Sequence, residues 1–267
     1  MKTIKLIYGY LLRTILNINT GLHAFYSGTQ LKPAHLSWLR DNEKNRDEKF
    51  KDLGYSSFKL IDKDKWIYFS KLVDKYFSKY GKSVDSKVDW AINKRQYLEI
   101  DKDDEIKRLV KQITKSETFK TNLNSITGSQ NWKVTSTLIW RNFPEKFDNP
   151  DKEVNSSFFH VDNGGDKTHR TKVNVFMYLS EISNQNGPFT YYDKNQSHQI
   201  NKKFFYYIIK YGNLRKYYLT SKIQKFITPN ILLDSNGQAL VINNQECLHR
   251  AGFCKKNTRD IIEFVIN

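Results

Sequence analysis

The sequence predicts an α+β fold in which helices near the start of the chain pack against an antiparallel sheet or sandwich. Helical spacing of apolar residues ends at about residue 115. From residue 131 onward, β-branched and aromatic residues alternate with polar ones, and clusters of Gly, Asn and Asp separate the runs. Helical segments followed by strand segments are typical of helices layered on an antiparallel sheet.

Two segments carry the helical pattern. Residues 63–80 repeat apolar side chains at helical spacing and are followed by Gly81, a residue type that commonly ends helices. Residues 103–115 begin with acidic residues and end with lysine, which complements the helix dipole. Their apolar residues share one side: Ile106, Leu109, Val110 and Ile113.

Six later runs predict strands, and they span residues 133–141, 156–162, 171–180, 188–193, 237–243 and 259–267. A basic, aromatic stretch at about residues 200–228 interrupts the series. We interpret it as a helical insertion that could close over an active site as a lid. In this interpretation residues 1–50 are a helical extension and residues 51–267 form the main domain.

The composition favours a folded protein of a reducing compartment. The chain has 267 residues with 17 Phe, 16 Tyr and 5 Trp, so a sizeable core is expected and disorder is disfavoured. Its two cysteines do not make a disulfide framework, which favours a cytoplasmic location. No apolar run is long enough to predict a membrane-spanning helix.

The charge is strongly positive and unevenly distributed. The net charge is +16, and residues 194–233 contain eight Lys or Arg and no acidic residue. Such a patch attracts nucleic acid, a membrane surface or a phosphate- or CoA-bearing substrate; an ordinary solvated face is the alternative. Residues 1–20 have the spacing of an amphipathic helix, which would suit peripheral contact with a membrane.

Three residues form a candidate metal site. His160 and Asp162 are two positions apart in a predicted strand, so their side chains project from the same face. A facial iron site needs one more imidazole, and His249 follows another strand-like run. These ligands leave three positions on iron(II) for a bidentate 2-oxo acid and O2, although they could also hold zinc.

Arg259 supports the iron alternative. It follows His249 by ten residues and begins the last predicted strand. Its guanidinium could form a bidentate pair with the distal carboxylate of 2-oxoglutarate. A zinc hydrolase would leave this arginine without a role and has no obvious general base.

Several separated motifs resemble those of the phytanoyl-CoA dioxygenase family of iron(II)- and 2-oxoglutarate-dependent oxygenases. They are FFHVDN, the strand VNVFMYL, the turn NGPF, the pair Ser197–His198, and the distal His249 and Arg259. They occur in the family's order, and the resemblance covers about residues 52–267. It implies a double-stranded β-helix, a cupin-like jelly-roll, with the N-terminal helices packed on it.

The resemblance also implies roles for individual residues. The three metal candidates match the family's iron ligands, and Arg259 matches its 2-oxoglutarate-binding arginine. Asn174 and Arg141 match positions that also contact the co-substrate. Ser197 and His198 match a pair that we interpret as support for the site.

Two positions depart from the family's pattern. Some relatives carry serine two residues after the distal histidine, where this chain has Ala251. One hydrogen bond to the co-substrate is then lost or replaced. Strand alternation from Arg259 places Glu263 on the same face, which is an awkward position for an acid unless a bulge intervenes.

The predicted function is that of a dioxygenase that hydroxylates a small molecule, with an anionic one as an option, and releases succinate and CO2; desaturation and ring formation stay open. Asp162 favours hydroxylation, because halogenating relatives carry a small residue at this position. One alternative is a non-catalytic nucleic-acid-binding module, since lysines alternate with tyrosines and phenylalanines in the basic stretch. Another is an oxygenase that acts at a membrane surface on a lipid-linked substrate.

Overall fold

The computed structural model describes residues 46–80, 95–144, 158–162, 173–211 and 217–266, together with residues 14, 15, 18 and 214. The α-helices are α1 (Glu48–Leu53), α2 (Lys63–Tyr80), α3 (Asp104–Lys115), α4 (Glu117–Thr127), α5 (Lys194–Lys203), α6 (Phe205–Tyr211) and α7 (Tyr217–Phe226). The predicted helices at 63–80 and 103–115 match α2 and α3. Residues 14, 15 and 18 are helical, and the rest of the predicted amphipathic helix lies outside the described residues.

The strands are β1 (Tyr55–Lys59), β2 (Arg95–Leu98), β3 (Val134–Asn142), β4 (Val173–Tyr178), β5 (Thr190–Tyr191), β6 (Asn230–Ile231), β7 (Gln238–Asn243), β8 (His249–Arg250) and β9 (Arg259–Ile266). They form two sheets. The first has six strands in the order β1–β7–β4–β9–β3–β2, and every neighbouring pair is antiparallel. The second has the order β6–β5–β8, and an antiparallel bridge between His160 and His249 extends it.

The path between the two sheets defines a double-stranded β-helix. From β3 in the first sheet, the chain passes to His160 in the second and returns to β4. It then visits β5 and β6 in the second sheet, β7 in the first, β8 in the second and β9 in the first. Without its edge strands β1 and β2, the first sheet contributes four strands to this jelly-roll. The predicted fold is confirmed.

Helices α2, α3 and α4 cover the outer face of the first sheet. Their buried residues pack with outward-facing strand residues such as Val175, Ile262 and Phe264 in one core. The sequence starts α3 with Asp103, whose side chain accepts hydrogen bonds from the next turn and caps the helix. Both faces of the sheet are covered, which explains why all six residues of β4 are buried.

The basic insertion forms helices α5, α6 and α7, as the sequence predicted. These helices share a hydrophobic cluster with Phe159, Val161 and Leu248, which are chain neighbours of the metal candidates. They therefore pack on the outer side of the second sheet. None of the described residues in α5–α7 lines the pocket beside the metal candidates, so a role of the insertion as a lid stays a prediction. Among the described residues, no helix has the length and apolar character needed to cross a membrane.

Candidate metal centre

The second sheet brings His160, Asp162 and His249 together. The two histidines face each other across the β-bridge, and each main-chain N–H donates to the other's carbonyl oxygen, at 3.0 and 2.9 Å. Asp162 Oδ1 lies 3.6 Å from His160 Nε2 and 3.8 Å from His249 Nε2. Ligand atoms of all three side chains lie within 4.8 Å of one another. The group could therefore hold a metal ion.

Both imidazoles present the nitrogen that a metal ion needs. His160 Nδ1 lies 2.6 Å from the carbonyl oxygen of Phe158, and His249 Nδ1 lies 3.0 Å from that of Cys247. Because a carbonyl oxygen only accepts, each neutral ring carries its proton on Nδ1 and its lone pair on Nε2. Metal-binding histidines are commonly oriented in this way. The donor set of two imidazoles and a carboxylate suits iron(II).

Asn244 fixes the carboxylate of Asp162. The Asp162 N–H donates to the Asn244 carbonyl oxygen at 2.8 Å, and Asn244 Nδ2 donates to Asp162 Oδ2 at 3.0 Å. The other carboxylate oxygen, Oδ1, is the one that faces the imidazoles. The sequence analysis missed Asn244, because no local pattern marks a contact that spans 82 residues.

Ser197 supports the strand that carries His249. Its Oγ is fully buried and accepts a hydrogen bond from the Leu248 N–H at 2.8 Å. Leu248 directly precedes His249, so this bond fixes the start of β8. The ring of Phe189 stacks on the His249 imidazole with 5.5 Å between centroids. These contacts agree with the supporting role that the sequence implied for Ser197.

A pocket of about 150 Å³ opens beside the three metal candidates. Its wall is mostly aromatic and aliphatic: Trp140, Phe176, Tyr178, Phe189, Leu232, Ala251 and Ile261. Arg95, Asn244 and Glu263 add polar groups. A cavity of this size holds a molecule comparable to a single six-membered ring.

Arg259 is a buried guanidinium that pairs with no carboxylate of the described chain. It is 1% exposed, and its Nη1 and Nη2 donate to the Gly252 carbonyl oxygen at 3.0 Å and to Asn142 Oδ1 at 3.2 Å. Its Nε has no hydrogen-bond partner among the described residues. A buried charge without a counterion is costly, so the arrangement favours an anionic ligand. Arg259 shares a face of β9 with the pocket residue Ile261 but is not itself part of the wall.

The NGPF turn brings two loops into contact beside Arg259. Gly187 has φ 65°, and a Cβ there would lie 2.3 Å from the carbonyl carbon of Phe253. Only glycine fits this position. The preceding Asn186 offers its carbonyl oxygen to Arg259 Nη1 at 3.5 Å and donates from Nδ2 to the Thr258 carbonyl oxygen at 2.9 Å. The motif therefore shapes the surroundings of the guanidinium.

Asn174 and Glu263 form a pair beside the pocket. Asn174 Nδ2 donates to Glu263 Oε1 at 2.5 Å, and only Glu263 is part of the pocket wall. Asn174 thus contacts a residue of the pocket wall without lining the pocket itself. Its contact with the co-substrate stays a prediction. No bulge intervenes between Arg259 and Glu263, so both residues lie on the same face of β9. Pairing of β9 is continuous along this stretch, and the irregularity of β3 lies near Val134 instead.

Arg141 lies on the opposite face of the first sheet from the pocket. Its Nε and Nη2 each lie 2.7 Å from a carboxylate oxygen of Asp260, and Nη2 also donates to Asp74 at 2.7 Å. Trp140, the preceding residue, faces the pocket, so alternation turns Arg141 toward the helices. The prediction that Arg141 binds the co-substrate therefore does not hold in this geometry.

The comparisons with known proteins bear on the fold. No protein-family model matches the sequence, and no curated protein is similar to it. The carbocyclase SnoK of nogalamycin biosynthesis, a non-haem α-ketoglutarate-dependent enzyme, is similar in structure, with a TM-score of 0.54 and 11% identity over 84% of this chain and 85% of that chain.

Two further solved structures are similar. HygX from Streptomyces hygroscopicus, with nickel, 2-oxoglutarate and hygromycin B bound, has a TM-score of 0.51 and 12% identity over 82% of this chain and 84% of its own. EctD from S. alaskensis, with 2-oxoglutarate and 5-hydroxyectoine, has a TM-score of 0.52 and 13% identity over 82% of this chain and 73% of its own. At this identity the likeness establishes a shared cupin-like fold.

Proposed function

We propose that the protein is an iron(II)- and 2-oxoglutarate-dependent dioxygenase that oxidises a small molecule, by hydroxylation in the simplest case. The observation that carries the proposal is the convergence of His160, Asp162 and His249 on the wall of a jelly-roll pocket. The structural neighbours HygX and EctD, each crystallised with 2-oxoglutarate, support it. The sequence motifs alone support the assignment to the phytanoyl-CoA dioxygenase family, and the two free cysteines support a cytoplasmic location.

The three side chains would bind iron(II) through His160 Nε2, His249 Nε2 and Asp162 Oδ1. The carbonyl oxygens on the two Nδ1 atoms keep the lone pairs on Nε2. Asn244 holds Asp162 Oδ2, which leaves Oδ1 for the metal. A protein that fixes its ligands in this way binds the ion without first having to order them.

Arg259 would bind the distal carboxylate of 2-oxoglutarate. Asn142 holds Nη2 from one side, while Nη1 donates to the main-chain oxygens of Gly252 and Asn186. A carboxylate that replaced one of these neutral oxygens would give the buried guanidinium its missing counterion. The proposal therefore requires the Gly252 or Asn186 contact to open when the co-substrate binds.

When bound, iron(II) and 2-oxoglutarate supply the oxidising chemistry, in which O2 oxidises both 2-oxoglutarate, to succinate and CO2, and a C–H bond of the substrate. The chain's own part is to orient the reactants and to exclude water. Tyr178 keeps the wall rigid, since its hydroxyl accepts from the Phe189 N–H at 2.6 Å and lies 3.3 Å from the Leu232 carbonyl oxygen. Burial raises the pKa of Tyr178 to about 12, so it stays neutral beside the site.

The proposal is tested by succinate formation from 2-oxoglutarate with iron(II), O2 and ascorbate. We expect slow turnover by the wild type without added substrate, and none by His160→Ala or Asp162→Ala. Asp101→Ala, which removes an exposed aspartate far from the pocket, is the matched control and should behave as wild type. The proposal fails if the folded wild type makes no succinate, or if His160→Ala makes as much as wild type.

A further inference from the structure

We propose that helices α5, α6 and α7 form a docking surface for a membrane that carries anionic lipid headgroups. The inference goes beyond the proposed function and does not depend on it, because none of the described residues in these helices lines the pocket. It starts from the lysines and aromatic residues of the insertion, for which the oxygenase site has no use. The buried side of these helices packs on the second sheet, and the other side is exposed.

Aromatic rings form a continuous layer where α6 contacts α7. The ring centroids of Tyr206 and Tyr207 lie 5.8 Å apart, and those of Tyr207 and Tyr218 lie 6.1 Å apart. The Phe204 ring continues the layer, at 6.2 Å from Tyr207 and 6.0 Å from Phe226. Tyr206 is 60% exposed, Tyr218 43% and Phe226 42%. A contiguous exposed patch of large rings is typical of an interaction surface.

The aromatic layer rests on a well-packed core. Phe204 is buried and belongs to the same cluster as Ile208, Leu219 and Ile223, which are fully buried. Helices α6 and α7 are therefore held in place from below. The exposure of the rings above them is a property of the folded surface and does not come from loose packing.

Lysines on the same helices give this surface a positive charge that no carboxylate neutralises. In the described part of the insertion, Lys194 pairs with Glu246 at 3.4 Å. Residues 194–233 contain no acidic residue. The other described lysines are all exposed, and none forms an ion pair with a described carboxylate: Lys202, Lys203, Lys210, Lys222 and Lys225. Such a surface attracts an anionic partner.

A second copy of the chain does not fit this surface. The chain has a net charge of +16, and contact between two insertions would bring their lysines together. Like charges that face each other across an interface are unfavourable. The partner therefore has to supply negative charge together with an apolar region that receives the rings.

A membrane fits the rings and lysines better than a nucleic acid does. Bases bind by stacking on open ring faces. Two of the exposed rings already have an ammonium group over a face, since Lys222 Nζ lies 5.8 Å from the Tyr218 centroid and Lys203 Nζ lies 5.8 Å from that of Phe226. Every described cation of the insertion is a lysine, whereas arginine is the preferred residue for recognising nucleic acids.

The same geometry suits the boundary between headgroups and acyl chains. Tyrosine rings sit well at this depth, because the ring is apolar and the hydroxyl is polar. A lysine lays its aliphatic stem along apolar surface and keeps its ammonium group in the polar layer. Tyr206, Tyr218 and Phe226 would enter the boundary region, while Lys203 and Lys222 would bind anionic headgroups.

The test measures binding of the purified full chain to unilamellar vesicles by flotation. One set of vesicles is phosphatidylcholine alone, and the other also contains phosphatidylserine. We expect binding to the anionic vesicles only, and weaker binding as the salt concentration rises, because salt screens the attraction. Absence of binding to the anionic vesicles at low salt overturns the inference.

The double variant Lys203→Gln, Lys222→Gln removes two ammonium groups that lie over exposed rings. We expect its affinity for anionic vesicles to fall about 25-fold, at roughly five-fold for each lysine. The matched control, Lys111→Gln with Lys120→Gln, removes two exposed lysines of α3 and α4 on the other side of the jelly-roll and should bind as wild type does.

Tyr206→Ser removes the most exposed ring of the layer, and we expect it to weaken vesicle binding about five-fold through lost apolar contact. Tyr80→Ser is its control, because Tyr80 is 50% exposed at the end of α2, away from the insertion. Both tyrosines lie at the surface, so neither change endangers folding.

Two further results would place the binding elsewhere and overturn the inference. In the first, the lysine and Tyr206 variants bind anionic vesicles as tightly as wild type, so another part of the chain contacts the membrane. In the second, a dT oligonucleotide binds wild type at a salt concentration that releases the vesicles, and the lysine variant loses it. Succinate formation is measured separately, so a chain that binds vesicles but makes no succinate has the docking surface without the oxygenase.

Discussion

Arg141 and Arg259 lie on opposite faces of the first sheet and have different kinds of hydrogen-bond partner. On the face covered by helices, Arg141 pairs with both carboxylate oxygens of Asp260 and with Asp74, each at 2.7 Å. On the pocket face lies Arg259, the residue next to Asp260, and its partners among the described residues are all carbonyl and amide oxygens. Both guanidinium groups are substantially buried, at 12% side-chain exposure for Arg141 and 1% residue exposure for Arg259. The difference separates a charge that the protein neutralises from a charge that, in the proposed function, binds the carboxylate of 2-oxoglutarate.

The largest expected effect is on stability, from Arg141→Ala. Burial raises the pKa of Asp260 even with Arg141 beside it, so removing the guanidinium leaves a carboxyl group that is costly to bury. We expect the free energy of unfolding to fall by about 3–5 kcal/mol in denaturant titrations at neutral pH. The folded fraction should bind 2-oxoglutarate as wild type does.

Arg108→Ala is the control for that experiment, since it removes an exposed arginine 3.6 Å from Glu105. It should cost less than about 1 kcal/mol. If Arg141→Ala is equally mild, or weakens 2-oxoglutarate binding specifically, the contrast between the two faces is wrong.

Arg259→Ala should weaken the binding of 2-oxoglutarate and leave the stability of the protein largely unchanged. We expect the Kd for 2-oxoglutarate to rise about 100-fold, because a buried, charge-assisted contact is lost. Stability without the co-substrate should change little, since the variant also removes a buried charge that has no counterion among the described residues. Arg259→Lys should recover only part of the affinity, because an ammonium cannot reproduce the planar fork. A large loss of stability with unchanged affinity would give Arg259 the role assigned to Arg141.

Asn142→Ala tests whether the orientation of the Arg259 guanidinium matters. Asn142 Oδ1 accepts from Arg259 Nη2 at 3.2 Å and from Trp140 Nε1 at 2.9 Å. It holds the guanidinium without being proposed to touch the co-substrate. We expect the KM for 2-oxoglutarate to rise about ten-fold with a smaller change in kcat. Asn122→Ala, on the exposed side of α4, should leave both constants unchanged. An unaltered KM in Asn142→Ala would mean that Arg259 needs no such support.

The smallest effect at neutral pH is expected for Tyr178→Phe, at about 1 kcal/mol of stability, because the Phe189 N–H loses its acceptor.

The dependence of stability on pH in the alkaline range is a more informative test of Tyr178. The pKa of Tyr178 is raised to about 12 in the folded protein, from about 10 when exposed. The folded state therefore holds this proton more tightly, and the stabilisation is complete below pH 10 and is lost as the pH rises toward 12. Denaturation followed between pH 9 and 12 should show a shallower decline for the variant than for wild type. Equal slopes would mean that this hydroxyl is not buried in the folded protein.

Sequence patterns predicted the helix and sheet layers and the pairing of His160 with Asp162, because both depend on local spacing. The HxD pair in FFHVDN requires only that alternate strand residues share a face. The order of helices and strands predicted the layers, and the family resemblance supplied the jelly-roll.

The assignment of Arg141 failed for a physical reason. Trp140 and Arg141 are neighbours on one strand, so one must face the pocket and the other the helices. The choice depends on the register of β3 against β9, where Arg141 lies opposite Asp260. That pairing joins residues 119 positions apart and has no local signal.

Glu263 and the basic insertion also show what local sequence patterns can and cannot predict. Alternation placed Glu263 correctly on the face of Arg259, and no bulge moves it to the other face. The insertion was correctly predicted to be helical. Its direction of packing depends on Phe159 and Leu248, which are distant in sequence from the helices that they contact.

The most direct test of the central claim is an anaerobic titration of the iron(II)-loaded protein with 2-oxoglutarate, followed by visible absorption. If iron bound at His160, Asp162 and His249 also chelates the 2-oxo acid, a metal-to-ligand charge-transfer band should grow to one equivalent. It should be absent in His249→Ala, and Arg259→Ala should need far more 2-oxoglutarate to reach it. A folded wild type that develops no band at saturating 2-oxoglutarate would contradict the assignment of this pocket as an oxygenase site.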